Sequence, residues 1–205
     1  MLYGGRVSLT MGMVPVALAT IVGGLFGVVA GFFGGRVNMA IMRTIDVFFA
    51  FPSVLLAVAS SGSLGGGIFN QLITLTVVLT PPLCCVTETA TSQVRKMDFV
   101  DAARSTGAST RSIIFTHMLI NVMSPVLVYA LTPVSVSIIL ASGLSFLGLG
   151  VSPPTADWGL MLSTLRQSIY VQPLVSALPG VAILVTSVAF NLLSDGLRQA
   201  MDVRS

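Results

Sequence analysis

Five stretches of this chain, near residues 8–32, 40–60, 68–91, 119–141 and 174–194, run for about 20 residues or more with almost no charge. A bilayer core about 30 Å thick is crossed by about 20 apolar residues in a helix. Only helices satisfy their own backbone hydrogen bonds in lipid over such lengths. The expected fold is all-α, a polytopic transmembrane helix bundle of about five spans. Composition agrees: 54% of the 205 residues are hydrophobic and 8% charged, which is far from a soluble surface. The first run, Val7 to Phe33, is too long for the apolar region of a signal peptide and reads as a retained membrane helix.

The few charges set a topology. If the spans alternate, Arg36, Arg43, Arg95, Lys96, Arg104, Arg111, Arg198 and Arg204 fall on one side, with Arg6 and Arg166 opposite. The positive-inside rule makes the first side cytoplasmic, which puts the N-terminus outside and the C-terminus inside. The cations are dispersed, without the basic patch and interleaved aromatics of a nucleic-acid binder. Cys84 and Cys85 are neighbours in an apolar run and read as small buried hydrophobes. Gly23, Gly27, Gly31 and Gly35 at four-residue spacing predict a bare strip where another helix backbone approaches. Pro15, Pro52, Pro81, Pro82, Pro125, Pro133 and Pro179 lie in or at the ends of spans; they are expected to kink helices, whether for motion or for static packing. The link Ser61 to Gly67 reads as a tight external turn.

The polar segment from Asp98 to Asn121 interrupts this apolar pattern. Asp98 is placed to cap a short helix, with Asp101 at its third position, and Gly107 supplies a left-handed stop. Ser109 is placed to cap the next helix, which enters the membrane through Ile113 and Ile114. The product is a helix, turn, helix elbow. Its residues alone fit a docking surface for a cytoplasmic partner or an amphipathic helix at the bilayer boundary equally well. In the second span Arg43 and Asp46 share a helix face, and anchoring the helix is favoured over a part in the substrate path. Glu88 is expected to snorkel toward the inner surface. His117 is the single histidine, with no carboxylate or cysteine at ligand spacing, so no metal is expected.

Asp101, Ala102, Ala103, then Gly107, then His117, Met118, Leu119, Ile120 and Asn121 resemble the EAA loop of ABC importer permeases of the oligopeptide, dipeptide and nickel type. Asp101 stands where glutamate is usual and Ile120 where proline is usual. The resemblance implies a coupling loop at about 93–112, with Asp101, Ala102, Ala103, Gly107, His117 and Asn121 coupling to an ATP-hydrolysing subunit. The elements S-F-L-G-L-G, P-P and W-G stand in the family's order within an external loop at about 143–172. They imply an external mouth at Ser145, Phe146, Gly148, Gly150, Trp158 and Gly159 that faces a substrate-binding protein; Trp158 otherwise marks the headgroup level. Family members tend to carry arginines where this chain has Cys85 and Glu88. Asn191 and Asp195 to Arg198 match the family's ending.

The likeness runs from about Tyr3 to the C-terminus, so that 1–205 reads as one permease domain, whereas relatives usually carry one further N-terminal helix. The implied function is half of the translocation pathway of an ATP-driven importer for peptides or similar small solutes. Implied partners are a second homologous permease, two ATP-binding subunits, an external binding protein and membrane lipid. The bacterial cytoplasmic membrane is the implied location. The chain contains no phosphate-binding loop and no nucleophile paired with a base, so it is not expected to be an enzyme or to hold a cofactor. Two other readings stand beside this one. A non-transporting structural subunit is favoured by the absent first helix, and an ATPase-independent transporter would need intramembrane carboxylate pairs or broken helices that the sequence does not display.

Overall fold

In the computed structural model the described residues, 1–202, are helical and connecting segments with no strand among them. Arg204, assigned by its charge to the cytoplasmic tail, lies outside them. Helix α1 (Leu2–Phe33) runs unbroken through Pro15 and lies along α4 (Ile68–Val94), the most extensive helix pair in the molecule. The expected glycine strip explains this closeness. A Cβ on Gly23 would sit 2.8 Å from the Thr80 carbonyl, and one on Gly27 or Gly31 would sit 2.6 Å from Thr87 Cβ or Thr91 Cβ. Lipid gives no hydrophobic drive for two helices to meet, so bare backbone that allows dense van der Waals contact is what holds the pair. Gly35 does not belong to the strip. It opens α2 (Gly35–Phe49) with φ 51° and has open space at its Cβ position.

The apolar run 40–60 is not one straight span. It is α2 and α3 (Ser53–Leu64), bent by 87° at Ala50–Pro52. Pro52 has no N–H to give and sits at φ −54°, ψ 128°, and its ring disfavours a helical Phe51, so the ladder stops there. The other six span prolines lie inside continuous helices. Helix α3 continues to Leu64, so the turn is shorter than Ser61 to Gly67 suggested. It begins at Gly65 (φ 82°), and the Gly67 N–H donates to the Gly150 carbonyl at 2.8 Å.

After α4 come α5 (Asp98–Ser105), α6 (Thr110–Ser112), a π-helical segment (Ile113–Met118) and α7 (Leu119–Phe146). The chain ends with α8 (Trp158–Leu165), a 3-10 turn (Arg166–Tyr170) and α9 (Pro173–Asp202). Four helical stretches are long and apolar enough to cross a membrane, and the bent α2–α3 pair makes a fifth candidate. The core is stacked in three clusters along the bundle, built on Met11, Leu75 and Leu144 at one end, Leu83 and Ile138 in the middle, and Val100, Met118 and Val122 at the other. Hydroxyls join the helices across the low-dielectric interior. Ser137 donates to the Met11 carbonyl at 2.7 Å, Ser135 donates to Asn191 Oδ1 at 2.8 Å, and Thr132 and Ser194 share a bond of 2.7 Å.

Candidate coupling elbow and outer loop

Met97, not Asp98, is the N-cap of α5, and no side chain caps it. Asp98 is the first helical residue and Asp101 the fourth, so both carboxylates favour the positive end of the helix without bonding to it. Val100 decides this register. It is fully buried with Phe32, Val94, Ile113 and Met118, which fastens α5 to this end of the bundle. Arg104 adds a second tie, its guanidinium 6.0 Å over the Phe32 ring. Its exposed pair with Asp101, at 3.5 Å, adds little by comparison.

The expected left-handed stop is present. Gly107 has φ 79°, its N–H donates to the Arg104 carbonyl at 3.0 Å, and the Ala108 N–H donates to the Ala103 carbonyl at 3.1 Å. These are the two bonds of a Schellman closure, completed by Ala103 and Ala108 packing on the same inner cluster. Ser109 caps the next helix as expected, its Oγ accepting from the Ser112 N–H at 3.3 Å. The entry into the membrane departs from a plain α-helix, because Ile113–Met118 is wound as a π-helix. Residues five apart face the same way in that winding, so Ile113 and Met118 both reach the core, which an α-helix would not allow.

Asp101, Ala102 and Gly107 are exposed, and Ala103 is half-buried against the cluster of Val100 and Met118. His117 and Asn121 lie farther along the chain, where Asn121 Nδ2 donates to the His117 carbonyl at 2.7 Å. Beside α5 runs a groove of ≈ 530 Å³ lined by Ser92, Arg95, Lys96, Asp101 and Arg104. Glu88 does not snorkel. Its Oε1 accepts from Asn38 Nδ2 at 2.7 Å and from Ser92 Oγ at 2.9 Å, which ties α4 to α2. Arg43 and Asp46 pair at 3.7 Å as expected, with both side chains mostly exposed. Cys84 is buried and Cys85 half-buried, and both are free thiols.

At the opposite end of the bundle, Gly148 (φ 79°) closes α7 as Gly107 closes α5. The Gly148 N–H donates to the Ser145 carbonyl at 3.1 Å and the Leu149 N–H to the Leu144 carbonyl at 2.9 Å. Ser145 and Phe146 are therefore the last turn of a helix and not loop. Ser145, Gly150, Trp158 and Gly159 are buried, whereas Phe146 and Gly148 are exposed. Trp158 is packed within the protein. Its ring packs on Gly5, its backbone N–H donates to Ser8 Oγ at 3.0 Å, and its indole N–H donates to the Met1 carbonyl at 3.3 Å. Gly150 and Gly159 leave room for Ser145 and for the Ser142 backbone.

Two polar residues that pack at this end carry no signal in the sequence pattern. Gln71, wholly buried, donates to the Ala141 carbonyl at 2.8 Å. Asp157 caps α8, accepting from the Leu160 N–H at 2.6 Å, with 1% of its surface exposed. Burial raises the Asp157 carboxyl above the usual range, and the bonds from Leu160 and from the Ser145 hydroxyl pull it partly back. Among the described residues no group of three or more His, Cys, Asp or Glu is placed to hold a metal.

One end of the molecule thus carries a glycine stop, a serine cap and a re-entering helix, and a glycine-strip bundle joins it to a locked loop at the other end. The family described as "Binding-protein-dependent transport system inner membrane component" matches residues 23–205. The chain belongs to this family. It is a permease of the peptide branch of ABC importers. It is 38% identical over 201 residues to the glutathione transport system permease protein GsiD of Pectobacterium atrosepticum, covering 98% of this chain and 67% of that one. It is 41% identical over 202 residues to the di/tripeptide transport system permease protein DppC of Pseudomonas aeruginosa, with the same coverage. The permease thus spans about two thirds of the length of these relatives. Its fold is similar to a chain of the inward-facing MetNI methionine ABC transporter, with a TM-score of 0.76 at 15% identity over 98% of this chain and 95% of that one.

Proposed function

We infer that this permease forms half of the pathway of an ATP-driven importer for peptides or similar small solutes. The names of the relatives, a glutathione and a di/tripeptide permease, support that class of cargo. The second half would come from a homologous permease, the energy from two ATP-binding subunits, and the cargo from an external binding protein. The observation that carries the reading is the elbow. Asp101 and Ala102 stand exposed on a short helix, and Gly107 at its stop, while the other face of that helix, through Val100, is part of the bundle core. A rigid element of this kind can pass closure of an ATPase to the membrane helices, provided that its contacts differ between the two states. His117 and Asn121 act at the root of the elbow, where the helix enters the membrane.

At the other end Phe146 and Gly148 offer surface to the binding protein, held by the buried Ser145, Gly150, Trp158 and Gly159. The cation-bearing elbow end is cytoplasmic by the positive-inside rule, and so is the C-terminus. Purification of the tagged chain from its own membrane in mild detergent, followed by mass spectrometry, tests the assembly. Recovery of ATP-binding subunits and a second permease is expected with the native chain, and Asp101→Lys should lower their yield. Recovery of the chain alone, with those proteins expressed, rejects the reading.

A further inference from the structure

The bend between α2 and α3 lies level with the middle of α4. Asn38 is bonded to Glu88, and farther along α2 the residues Ile41, Thr44 and Phe48 share a groove of ≈ 370 Å³ with Thr76, Thr80 and Pro81 of α4. The two helices therefore run antiparallel, and Arg43 and Asp46 fall between the level of Glu88 and that of Pro81. Pro81 is the midpoint of α4. At 1.5 Å per residue, the paired charges stand within roughly 10 Å of the centre of the span, inside a hydrocarbon half-thickness of about 15 Å. The break at Ala50–Pro52 stands beside Val78, Pro81 and Val136, around a second cavity of ≈ 270 Å³.

Lipid tolerates neither feature. The Arg43 and Asp46 side chains are 81% and 59% exposed, and Ala50, Phe51 and Pro52 are all exposed. An ionised pair open to hydrocarbon is costly, and non-helical backbone at this depth persists only against protein or water. The N–H groups of Ser53, Val54 and Leu55 precede the first bond of α3, from the Leu56 N–H to the Pro52 carbonyl, and so have no helical partner. The exposed face of α2 thus carries a cation and an anion, and the break two turns farther along carries free amide donors. The 3.7 Å separation of the pair is long for an ion pair, which leaves both charges open to other partners.

We propose that Arg43, Asp46 and the Ala50–Pro52 break line the aqueous passage and bind zwitterionic cargo, Arg43 taking its carboxylate and Asp46 its ammonium group. This assignment rests on the permease reading and names the part of the chain that meets the substrate. It also replaces the anchoring role expected for the pair. Recognition through the two termini and the backbone, with Phe49 and Phe51 beside them, accepts cargo of varied side chains.

The test uses the full chain in its own membrane, with Cys84→Ala and Cys85→Ala as background and single cysteines at Asp46→Cys, Ala50→Cys and, on the exposed apolar face of α9, Leu184→Cys. A cationic, membrane-impermeant thiosulfonate is expected to modify the first two at least tenfold faster than the third. Equal, slow modification overturns the aqueous lining. Alanyl-alanine is expected to slow modification of Ala50→Cys at least threefold, N-acetylalaninamide is not, and Arg43→Gln should remove the protection. Absence of protection, or equal protection by both compounds, overturns the binding role. The permease reading is judged separately by co-purification of ATP-binding subunits, so its failure would leave fast modification at Asp46→Cys and Ala50→Cys readable.

Discussion

Asn38 Nδ2 stands 2.7 Å from Glu88 Oε1, and this bond joins two helices across 50 residues of sequence. It turns a carboxylate that looked free to reach the inner surface into a fixed link between α2 and α4, with Ser92 as a second donor at 2.9 Å. Helix α2 buries only Ile45, so the link matters more there than it would in a well-packed helix.

Asn38→Leu is expected to lower stability in detergent by about 1–3 kcal/mol, because it leaves a half-buried carboxylate with one donor fewer. Glu88→Gln can keep a bond to Asn38 and should cost less than Glu88→Ala. A double-mutant cycle of Asn38 and Glu88, read by thermal unfolding, should show a coupling of at least about 0.5 kcal/mol. Additive effects would show that the bond contributes nothing.

Gly27→Ala should separate α1 from α4. Its added Cβ would meet the Cys84 carbonyl at 2.7 Å as well as Thr87 Cβ, and backbone cannot turn aside as a side chain can. Overpacking of this kind costs about 1–3 kcal/mol. Gly24→Ala, on a face of the same helix with nothing within 4 Å, is the matched control and should leave the midpoint of thermal aggregation unchanged or slightly raised.

Gly107→Val tests the elbow separately from docking chemistry. The site has open space but φ 79°, so the cost is backbone strain, on the order of 1–3 kcal/mol, and the α5 stop should loosen. Uptake driven by ATP should fall by tenfold or more while insertion and expression stay near the native level. Val100→Ala should act in the same direction by freeing the helix from its core, at about 2 kcal/mol. Unchanged uptake in both variants would exclude the elbow as the transmitting element.

Asp157 gives a pH signature of the outer loop. Its carboxyl in the folded chain titrates above the unfolded value of about 3.9, so between the two values the native state holds the extra proton. Stability from this group is therefore greatest below the unfolded value, falls as pH rises through the folded value, and is level above it. Asp157→Asn keeps a capping oxygen and removes the titration. As pH rises from about 4, the midpoint of unfolding should fall more in the native chain than in Asp157→Asn, and parallel curves would show that the carboxyl is not the source.

The class of the fold and the local grammar of the elbow are legible along the chain. Runs of about 20 apolar residues leave the backbone little but the helix. The stop at Gly107 and the cap at Ser109 are likewise settled by neighbours a few residues away. The break at Pro52 is partly visible, because proline ends a ladder wherever it stands, yet Pro81 and Pro82 sit inside a continuous helix. Packing between distant segments chose which proline became a corner. It bonded Glu88 to Asn38, buried Trp158 on Gly5, and wound Ile113–Met118 so that two residues five apart share the core. Each of these depends on contacts whose energies a local pattern does not carry. The glycine stop at Gly107 and the cap at Ser109 depend on backbone geometry within a turn or two, and these are written in the order of the residues.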